Sequence, residues 1–260
     1  MKINEKNGFV GEIDMPRISV AMAVYNGEQY LEEQIESILT QLCEEDELVI
    51  SYDLSTDNTI NILEKYINNK LVKVVLDPGR GIFSNFENAI KNCSGDYIFI
   101  SDQDDIWDGK KREKVLEDFR MYNVSMVIHN GVHIDSEGKV ISKDFFSLYG
   151  IKNGIVKNFV KPRYSGCCTV FKRELKELLL PIPRNIGAYD HWIGMIGECF
   201  GKVFFDEDIL LYHRLHGSNA TVTRRNITTI FAVRYNLLKE LYKCNKRLKA
   251  KYNRIRNIER

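Results

Sequence analysis

The stretch DYIFISDQDD, residues 96–105, contains the pattern that decides the fold class. An apolar run of strand length opens it, and Asp102, Asp104 and Asp105 follow at once. Three carboxylates within four residues repel one another unless a cation binds them. Carboxylates are hard oxygen ligands that suit Mg²⁺ or Mn²⁺, and protein-bound Mg²⁺ is usually shared with substrate phosphates. The stretch therefore indicates a metal and nucleotide diphosphate site. The alternative is a solvated acidic turn before a helix capped by Asp108.

The residues before this stretch alternate between strand-like and helix-like periods. The first strand is a continuous apolar run, as in parallel sheets that are buried on both faces. Regular strand–helix alternation implies right-handed crossovers and an α/β sheet. The predicted strands are 17–24, 47–51, 71–76 and 96–100, and the predicted helices are 29–42, 57–67 and 82–91. Later residues predict strands at 124–134 and 165–171, helices at 173–180 and 189–200, and an extended segment at 202–212.

Polar residues follow each of the first four predicted strands. They include Tyr25, Asn26, Asp53, Arg80 and the acidic cluster that begins at Asp102. Ligands of open α/β sheets bind outside the carboxyl ends of the strands. We therefore expect these residues to gather at one edge of the sheet.

Composition indicates an ordinary globular protein. Of the 260 residues, 44% are hydrophobic and 28% are charged, and no apolar stretch is long enough to predict a membrane span. The six cysteines form no CxxC pair, and residues 1–14 are polar without the apolar core of a secretory signal. These features predict reduced thiols, no zinc site and a cytoplasmic location.

The net charge of +1 divides unevenly along the chain. Residues 224–260 hold 12 of the 37 Lys and Arg residues but 2 of the 36 acids, so this tail carries +10. The remaining residues carry 25 bases against 34 acids, or −9. A basic helical tail with an apolar face predicts contact with an anionic surface at the inner face of the cell membrane. The alternative is a helix packed on the body with solvated bases outside. We expect no nucleic acid partner, because the body carries no basic stripe.

Three motifs in order resemble the family 2 glycosyltransferases of the GT-A fold. The motifs are ISVAMAVYNG (18–27), SYDLSTDNT (51–59) and DQDDIW (102–107), and the later YDHW (189–192) and RLHGSN (214–219) also fit. The resemblance covers about residues 16–219 and is greatest to bacterial rhamnosyltransferase-like members that build surface polysaccharides. It implies a Rossmann-like, mostly parallel sheet flanked by helices, followed here by the basic helical tail.

The resemblance also implies the binding mode of a nucleotide diphosphate sugar. Ala23, Tyr25 and Asn26 would contact the base, and Asp53 would hydrogen-bond the pyrimidine. Two neighbours of Asp53 depart from the family's Asp-Asp-Gly-Ser turn, since Tyr52 replaces the first acid and Leu54 the glycine. Leu tolerates positive φ poorly, so the turn can differ in shape and leaves the base open. A capping or turn role for Asp53 is the alternative.

The metal site is implied in the same way. Asp104 would bind Mn²⁺ or Mg²⁺ directly, with His216 as a further ligand, and Asp102 would hold the ribose or a metal-bound water. Arg80 would contact the nucleotide, although a solvated loop arginine fits equally. A lone histidine is also compatible with a structural role.

The resemblance implies a metal-dependent, inverting transfer of the sugar to an acceptor hydroxyl, and such a transfer requires a base on the acceptor side of the sugar. Asp190 matches the family's base, with Tyr189 in place of the common preceding Glu. A carboxylate can accept the acceptor's proton when its environment tunes its pKa. Trp192 would floor the sugar site by stacking. The alternatives are a helix cap for Asp190 and a core position for Trp192.

The predicted organisation is one GT-A domain, 16–223, with a nucleotide-binding half (16–105) and an acceptor-binding half (106–223), followed by the extension 224–260. The predicted donor is dTDP-rhamnose or a UDP-sugar, and the predicted acceptor is a glycan or lipid-linked glycan. The rival is a non-catalytic nucleotide-sugar-binding protein of the same fold. A Rossmann dehydrogenase is disfavoured because no GxGxxG follows the first strand.

Overall fold

The computed structural model describes residues 16–79, 81–217 and 226–258. Within these residues the chain alternates strands and helices through its first half, as predicted. The strands are β1 (Ile18–Val24), β2 (Glu47–Tyr52), β3 (Val72–Leu76), β4 (Tyr97–Ser101), β5 (Ile106–Trp107), β6 (Met126–Ile134), β7 (Thr169–Lys172) and β8 (Val203–Arg214). The helices are α1 (Leu31–Leu39), α2 (Thr59–Glu64), α3 (Ile82–Asn92), α4 (Lys111–Tyr122), α5 (Phe145–Tyr149), α6 (Ile155–Val160), α7 (Lys176–Leu179), α8 (Tyr189–Phe200) and α9 (Ile227–Ile258).

The strands form one mixed sheet in the order β3-β2-β1-β4-β7-β6-β8-β5. The block β3-β2-β1-β4 is parallel, and β6 also runs parallel to β8. Strand β7 runs antiparallel to both β4 and β6, and β5 runs antiparallel to β8. The predicted α/β fold with a mostly parallel sheet is confirmed. The proposed division at residues 105/106 falls between β4 and β5 of this one sheet and stays a prediction.

The parallel block is buried because its strands are apolar on both faces. Six of the seven β1 residues are buried, and the helices supply the covering side chains. Helix α1 turns Leu31, Ile35 and Ile38 inward at helical spacing, and each is fully buried. The four parallel strands therefore end at a common edge, held rigid by the core beneath it.

Three local details differ from the prediction. Helix α2 ends at Glu64, and the following residues continue in i to i−3 bonds instead of α-helical ones. The two-residue strand β5 was not predicted, because its pairing with β8 is non-local. Asp108 does not cap α4 as the N-cap residue: Lys110 holds that position, and Asp108 Oδ1 accepts from the Lys110 N–H at 3.0 Å.

Helix α9 packs on the body along one face. Leu237, Leu241 and Cys244 are buried there, and Arg247 donates to the Leu180 carbonyl. A second apolar stripe on the same helix is exposed. It consists of Ile227, Phe231, Tyr235, Leu238 and Tyr242. Among the described helices, none combines the length and apolarity needed to cross a bilayer.

Candidate active site

Parallel pairing brings the ends of β1, β2 and β4 to one edge of the sheet. Val24 is in register with Tyr52, and Met22 with Ser101. The Asp53 N–H donates to the Val24 carbonyl at 2.9 Å, which continues the ladder past the strand ends. The predicted gathering of polar residues at this edge is therefore present, because the chain leaves each strand at the same level.

Three of the predicted base contacts lie at this edge of the sheet, which is called the rim below. Ala23 is partly exposed near the end of β1, and the Tyr25 ring is 51% exposed just beyond it. Asn26 has a positive φ of 50°, which asparagine tolerates better than most residues. Its Oδ1 accepts from the Thr56 N–H at 2.8 Å, so Asn26 joins the loops that follow β1 and β2.

Asp53 connects the rim to a third loop. Its carboxylate is 8% exposed, and Oδ2 accepts from the Gly81 N–H at 2.9 Å. Asp53 therefore fixes the loop that leads into α3, which is the turn role considered as its alternative. Contact with a base stays a prediction. Arg80, in the same loop, lies outside the described residues.

Gln103 clamps the acidic segment to the end of β1. Its Oε1 accepts from the Tyr25 N–H at 2.7 Å, and its Nε2 donates to the Tyr25 carbonyl at 2.9 Å. This pair of bonds imitates one step of a strand ladder. Gln103, the middle residue of the Asp102–Asp104 motif, therefore points toward the end of β1, and the two acids point in other directions.

Asp104 and His216 are brought together as predicted. His216 Nε2 lies 2.8 Å from Asp104 Oδ2, and each side chain is 15% exposed. The His216 ring also lies 5.0 Å from the ring of Tyr30 at the start of α1. A nitrogen and a carboxylate at this separation can act as ligands to one cation.

Burial and mutual repulsion disfavour the ionised forms of Asp102 and Asp104 in the acidic cluster. Burial raises the pKa of Asp102 to about 7, and the charges of Asp105 and Asp104 act in the same direction. Burial and the charge of Asp105 also raise the pKa of Asp104. Both acids therefore lie where an added positive charge would favour their ionised forms.

Asp105 has its own cation. Its side chain is fully buried, and Oδ1 lies 2.7 Å from His213 Nδ1 and accepts from the Arg214 N–H at 3.2 Å. Burial opposes ionisation of Asp105, but the neighbouring imidazolium outweighs it and lowers the pKa of Asp105. Burial likewise acts to lower the pKa of His213, but Asp105 raises it to about 10. At neutral pH this is therefore a buried ion pair.

Arg214 supports the same segment from behind. Its guanidinium is almost fully buried, forms an ion pair with Glu33 at 2.6 Å and lies 4.5 Å from the Tyr30 ring. Its Nε donates to the Asp104 carbonyl at 3.3 Å. The end of β8 therefore holds the backbone of the acidic cluster and delivers His216 to Asp104.

Tyr189 connects the acidic cluster to helix α8. Its hydroxyl donates to Asp102 Oδ1 at 3.3 Å, and its ring stacks on Phe86 with 4.1 Å between centroids. A Cβ at Gly166 would collide with the Tyr189 ring, so glycine is needed there for close approach. Burial raises the pKa of Tyr189 well above its usual value, so the phenol keeps its proton and acts as a donor.

Asp190 lies in the first turn of α8, whose N-cap residue is Ala188. The N-cap role considered for Asp190 is therefore wrong, although its Oδ1 accepts from the His191 N–H at 2.6 Å. Asp190 and His213 line the same cavity of about 330 Å³. The predicted base and the acidic cluster are thus joined through a space that could hold a substrate group.

A second group of potential metal ligands lies beside Asp104. Ligand atoms of Asp102, Asp105, Cys167 and His213 lie within 4.8 Å of one another. The Asp105–His213 ion pair already supplies a positive charge in this group, since the pKa of His213 is about 10. Metal binding by Asp104 and His216 stays a prediction.

Residues 19–179 match the family described as Glycosyl transferase family 2. The chain belongs to this family. It is 28% identical over 230 residues to an uncharacterized glycosyltransferase of Nostoc sp., covering 82% of this chain and 69% of that protein. It is 46% identical over 95 residues to the dTDP-rhamnosyl transferase RfbG of Shigella flexneri, covering 33% of this chain and 32% of that protein.

Two similar solved structures confirm the GT-A fold of this family 2 glycosyltransferase. S. aureus TarS 1-349 in complex with UDP-GlcNAc superposes with a TM-score of 0.65 at 20% identity, covering 80% of this chain and 62% of that chain. The mannosyltransferase PcManGT from Pyrobaculum calidifontis, in complex with GDP-Man and Mn²⁺, gives 0.60 at 20% identity, covering 78% and 58%. The chain spans about three fifths of the length of these solved chains.

The sugar-stacking role predicted for Trp192 does not agree with its position in this glycosyltransferase. Trp192 is fully buried, and its indole N–H donates to the Leu179 carbonyl at 2.9 Å. No ring face is open to a sugar, because α8 presents this side chain to the core beside α7. The core alternative is therefore correct.

The site contains residues that the sequence alone did not select. No contact was predicted for Gln103, Tyr189 or His213. The only sequence signal was their position beside motif residues. Their partners could not be read from the sequence, because His213 and Asp105 are 108 positions apart.

Proposed function

We propose that this chain is an inverting glycosyltransferase that moves a sugar from a nucleotide diphosphate sugar to an acceptor hydroxyl. The donor is dTDP-rhamnose or a UDP-sugar, and the acceptor is a glycan or lipid-linked glycan in surface polysaccharide synthesis. Family membership supports the reaction class. The similarity to the protein named dTDP-rhamnosyl transferase RfbG supports the choice of donor.

One observation carries the proposal: the cavity shared by Asp190 and His213 adjoins the acidic cluster. Tyr189 donates to Asp102, and Asp190 follows it directly in the chain. His213 lines the same cavity and binds Asp105. A carboxylate that can accept a proton therefore lies next to the residues expected to hold the donor, which is the arrangement that a single displacement requires.

In the proposed reaction Asp190 accepts the proton of the acceptor hydroxyl. The acceptor oxygen forms a bond to the anomeric carbon of the sugar as the bond from that carbon to the nucleotide phosphate oxygen breaks. The nucleoside diphosphate leaves with the electron pair, and attack from the opposite face inverts the anomeric centre. Tyr189 holds Asp102 in place through a hydroxyl that stays protonated.

The residues fit a divalent cation of the Mn²⁺ or Mg²⁺ class. Asp104 and His216 would hold it, since their ligand atoms are already 2.8 Å apart and burial beside Asp105 disfavours the lone charge of Asp104. When bound, such an ion supplies Lewis-acid stabilisation to the diphosphate leaving group. The solved structure of similar fold named with GDP-Man and Mn²⁺ is consistent with this assignment.

A panel of UDP-, dTDP- and GDP-sugars with Mn²⁺ tests the proposal. The true donor should raise the melting temperature, because a ligand at 100 times its Kd stabilises the folded state by about 2.7 kcal/mol. It should also be converted slowly to nucleoside diphosphate. Binding without any release, even with a mixed glycan acceptor pool, would favour the rival of a non-catalytic binding protein. Absence of binding by the whole panel would contradict both.

We also propose that α9 meets an anionic membrane surface. Phe231, Leu238 and Tyr242 project from the same side of the helix and are 72%, 54% and 70% exposed. Exposed lysines, including Lys239 and Lys249, border this stripe. Apolar side chains beside bases are typical of helices that lie in an anionic interface. A second copy of α9 fits less well, because the like charges would repel.

A further inference from the structure

The cavity beside Asp190 has a composition that bears on the chemistry of the acceptor. Its lining includes His133, Tyr149, Lys161 and Arg163 besides Asp190. Its volume of about 330 Å³ lies at the lower end of the range for small-molecule sites. All its lining residues belong to the 106–223 half, whereas the expected base contacts lie within residues 16–105. This position assigns the cavity to the acceptor instead of the nucleotide.

Arg163 is the most informative residue of the cavity. Its guanidinium donates to the Gly150 carbonyl at 2.7 Å, and its Nε is buried without a hydrogen-bond partner in the described part of the chain. Within the described residues, no carboxylate comes within 4.0 Å of it in an ion pair. A partly buried charge without a counter-charge is costly, so a ligand that brings an anion would be stabilised here.

The other titratable groups of the cavity determine its overall charge. Lys161 is exposed and lines the cavity. The charge of His213 is neutralised by Asp105, so His213 does not change the net charge of the cavity. His133 binds the Tyr149 hydroxyl through Nε2 at 2.6 Å, and burial lowers its pKa. Apart from the compensated His213, the lining of the cavity therefore contains two cations, Arg163 and Lys161, and one carboxylate, Asp190.

We infer that the acceptor carries a carboxylate or phosphate close to the hydroxyl that receives the sugar, and that Arg163 and Lys161 bind this anion. The inference rests on the proposed transferase function and adds the acceptor's chemical class. The planar guanidinium can donate two parallel hydrogen bonds to either anion. Gly150, at a φ of 63° after α5, orients its carbonyl toward Arg163 and so holds the guanidinium in the cavity.

Matched pairs of small probes test the inference with the full chain. Methyl β-D-glucuronide is compared with methyl β-D-glucoside, and glycerol 3-phosphate with glycerol, by ligand-detected NMR in the presence of Mg²⁺, which is diamagnetic, and nucleoside diphosphate. At least one anionic probe should bind ten times more tightly than its neutral partner. The arm that shows the difference identifies carboxylate or phosphate as the preferred anion.

Variants locate the effect. Arg163→Gln should abolish the preference for the anion, Arg163→Lys should keep part of it, and Lys152→Gln, an exposed control outside the cavity, should leave it unchanged. Equal binding of charged and neutral probes by the wild type, or a full preference in folded Arg163→Gln, would overturn the inference. Nucleotide binding by the wild type is measured in parallel. Absence of nucleotide binding would contradict the transferase proposal. If the nucleotide binds but the probes show no preference, only the inference about the acceptor fails.

Discussion

His213 Nδ1 lies 2.7 Å from Asp105 Oδ1, and this ion pair joins the end of β8 to the acidic cluster after β4. The Asp105 side chain is fully buried, and that of His213 is 22% exposed. Removing one partner of a buried pair leaves the other charge uncompensated, which usually costs more than the pair itself contributes. The pair therefore fixes the two segments that carry Asp104 and His216, one after β4 and one after β8.

This pair should make stability depend on pH. The folded-state pKa of His213 is raised to about 10 from an ordinary value of 6.5. Its stabilisation is fully present below about pH 6.5 and is lost as the pH rises through about 10. The difference in unfolding free energy between wild type and His213→Gln should therefore be largest near pH 6 and shrink by pH 10. Urea unfolding at several pH values measures it, and a constant difference would disprove the ion pair.

Replacement of Asp104 should remove metal-dependent nucleotide binding. Asp104→Ala deletes a predicted ligand that lies against His216, so Mn²⁺ should no longer increase nucleoside diphosphate affinity. The fold should persist, since the replacement also relieves repulsion from Asp105. Titration calorimetry with and without Mn²⁺ measures the effect, with Glu113→Ala on exposed α4 surface as a control. Full activity of the wild type in excess EDTA would refute the metal role.

Gln103→Ala should weaken donor binding more than turnover. The change removes both hydrogen bonds to Tyr25, each contributing about 0.5–1.5 kcal/mol, and frees the rim at the end of β1. Donor KM should rise while kcat changes little. Gln103→Glu keeps the acceptor but loses the donor, and its KM should be intermediate. Equal KM values for all three proteins would show that the clamp is unrelated to the donor.

Trp192→Phe should lower stability without changing donor affinity. The phenyl ring leaves the Leu179 carbonyl without its buried donor, which costs about 1–3 kcal/mol. In a domain of this size that corresponds to a melting temperature roughly 2–12 °C lower. Thermal unfolding and donor titration measure the two effects. A large loss of donor affinity with a normal melting temperature would restore Trp192 to the sugar site.

The membrane proposal is best tested with surface substitutions, because deletion of α9 would expose the core surface that Leu237 covers. A Phe231→Ser, Leu238→Ser, Tyr242→Ser variant should keep its melting temperature and lose affinity for anionic vesicles. Lys239→Gln with Lys249→Gln should weaken the salt-sensitive part of the affinity. Co-sedimentation at low and high salt measures both, and the proposal fails if the intact chain does not bind at low salt.

Much of the fold could be predicted because the first four strands are apolar runs separated by amphipathic helices. This pattern fixes parallel order and hence the edge where Asp53 and Asp104 emerge. Strand β5 could not be predicted, because two residues carry no periodicity and their pairing with β8 depends on distant sequence.

The candidate site was predicted where it rests on motifs and missed where it rests on tertiary pairing. Asp104 and His216 were selected by resemblance and do lie together. His213 is also a histidine and lies three positions before His216. The local sequence does not distinguish a metal ligand from an ion-pair partner. Trp192 was misplaced because helical spacing does not reveal which face of α8 meets the core.

The most direct test of the proposed mechanism is the turnover of Asp190→Asn. The amide keeps the shape and one oxygen for the His191 N–H, but it cannot accept the acceptor's proton. Loss of a general base typically reduces the rate by 10²–10⁴-fold. We predict a reduction of this order with donor affinity and melting temperature near those of the wild type. Near-normal turnover would contradict the assignment and remove Asp190 from the mechanism.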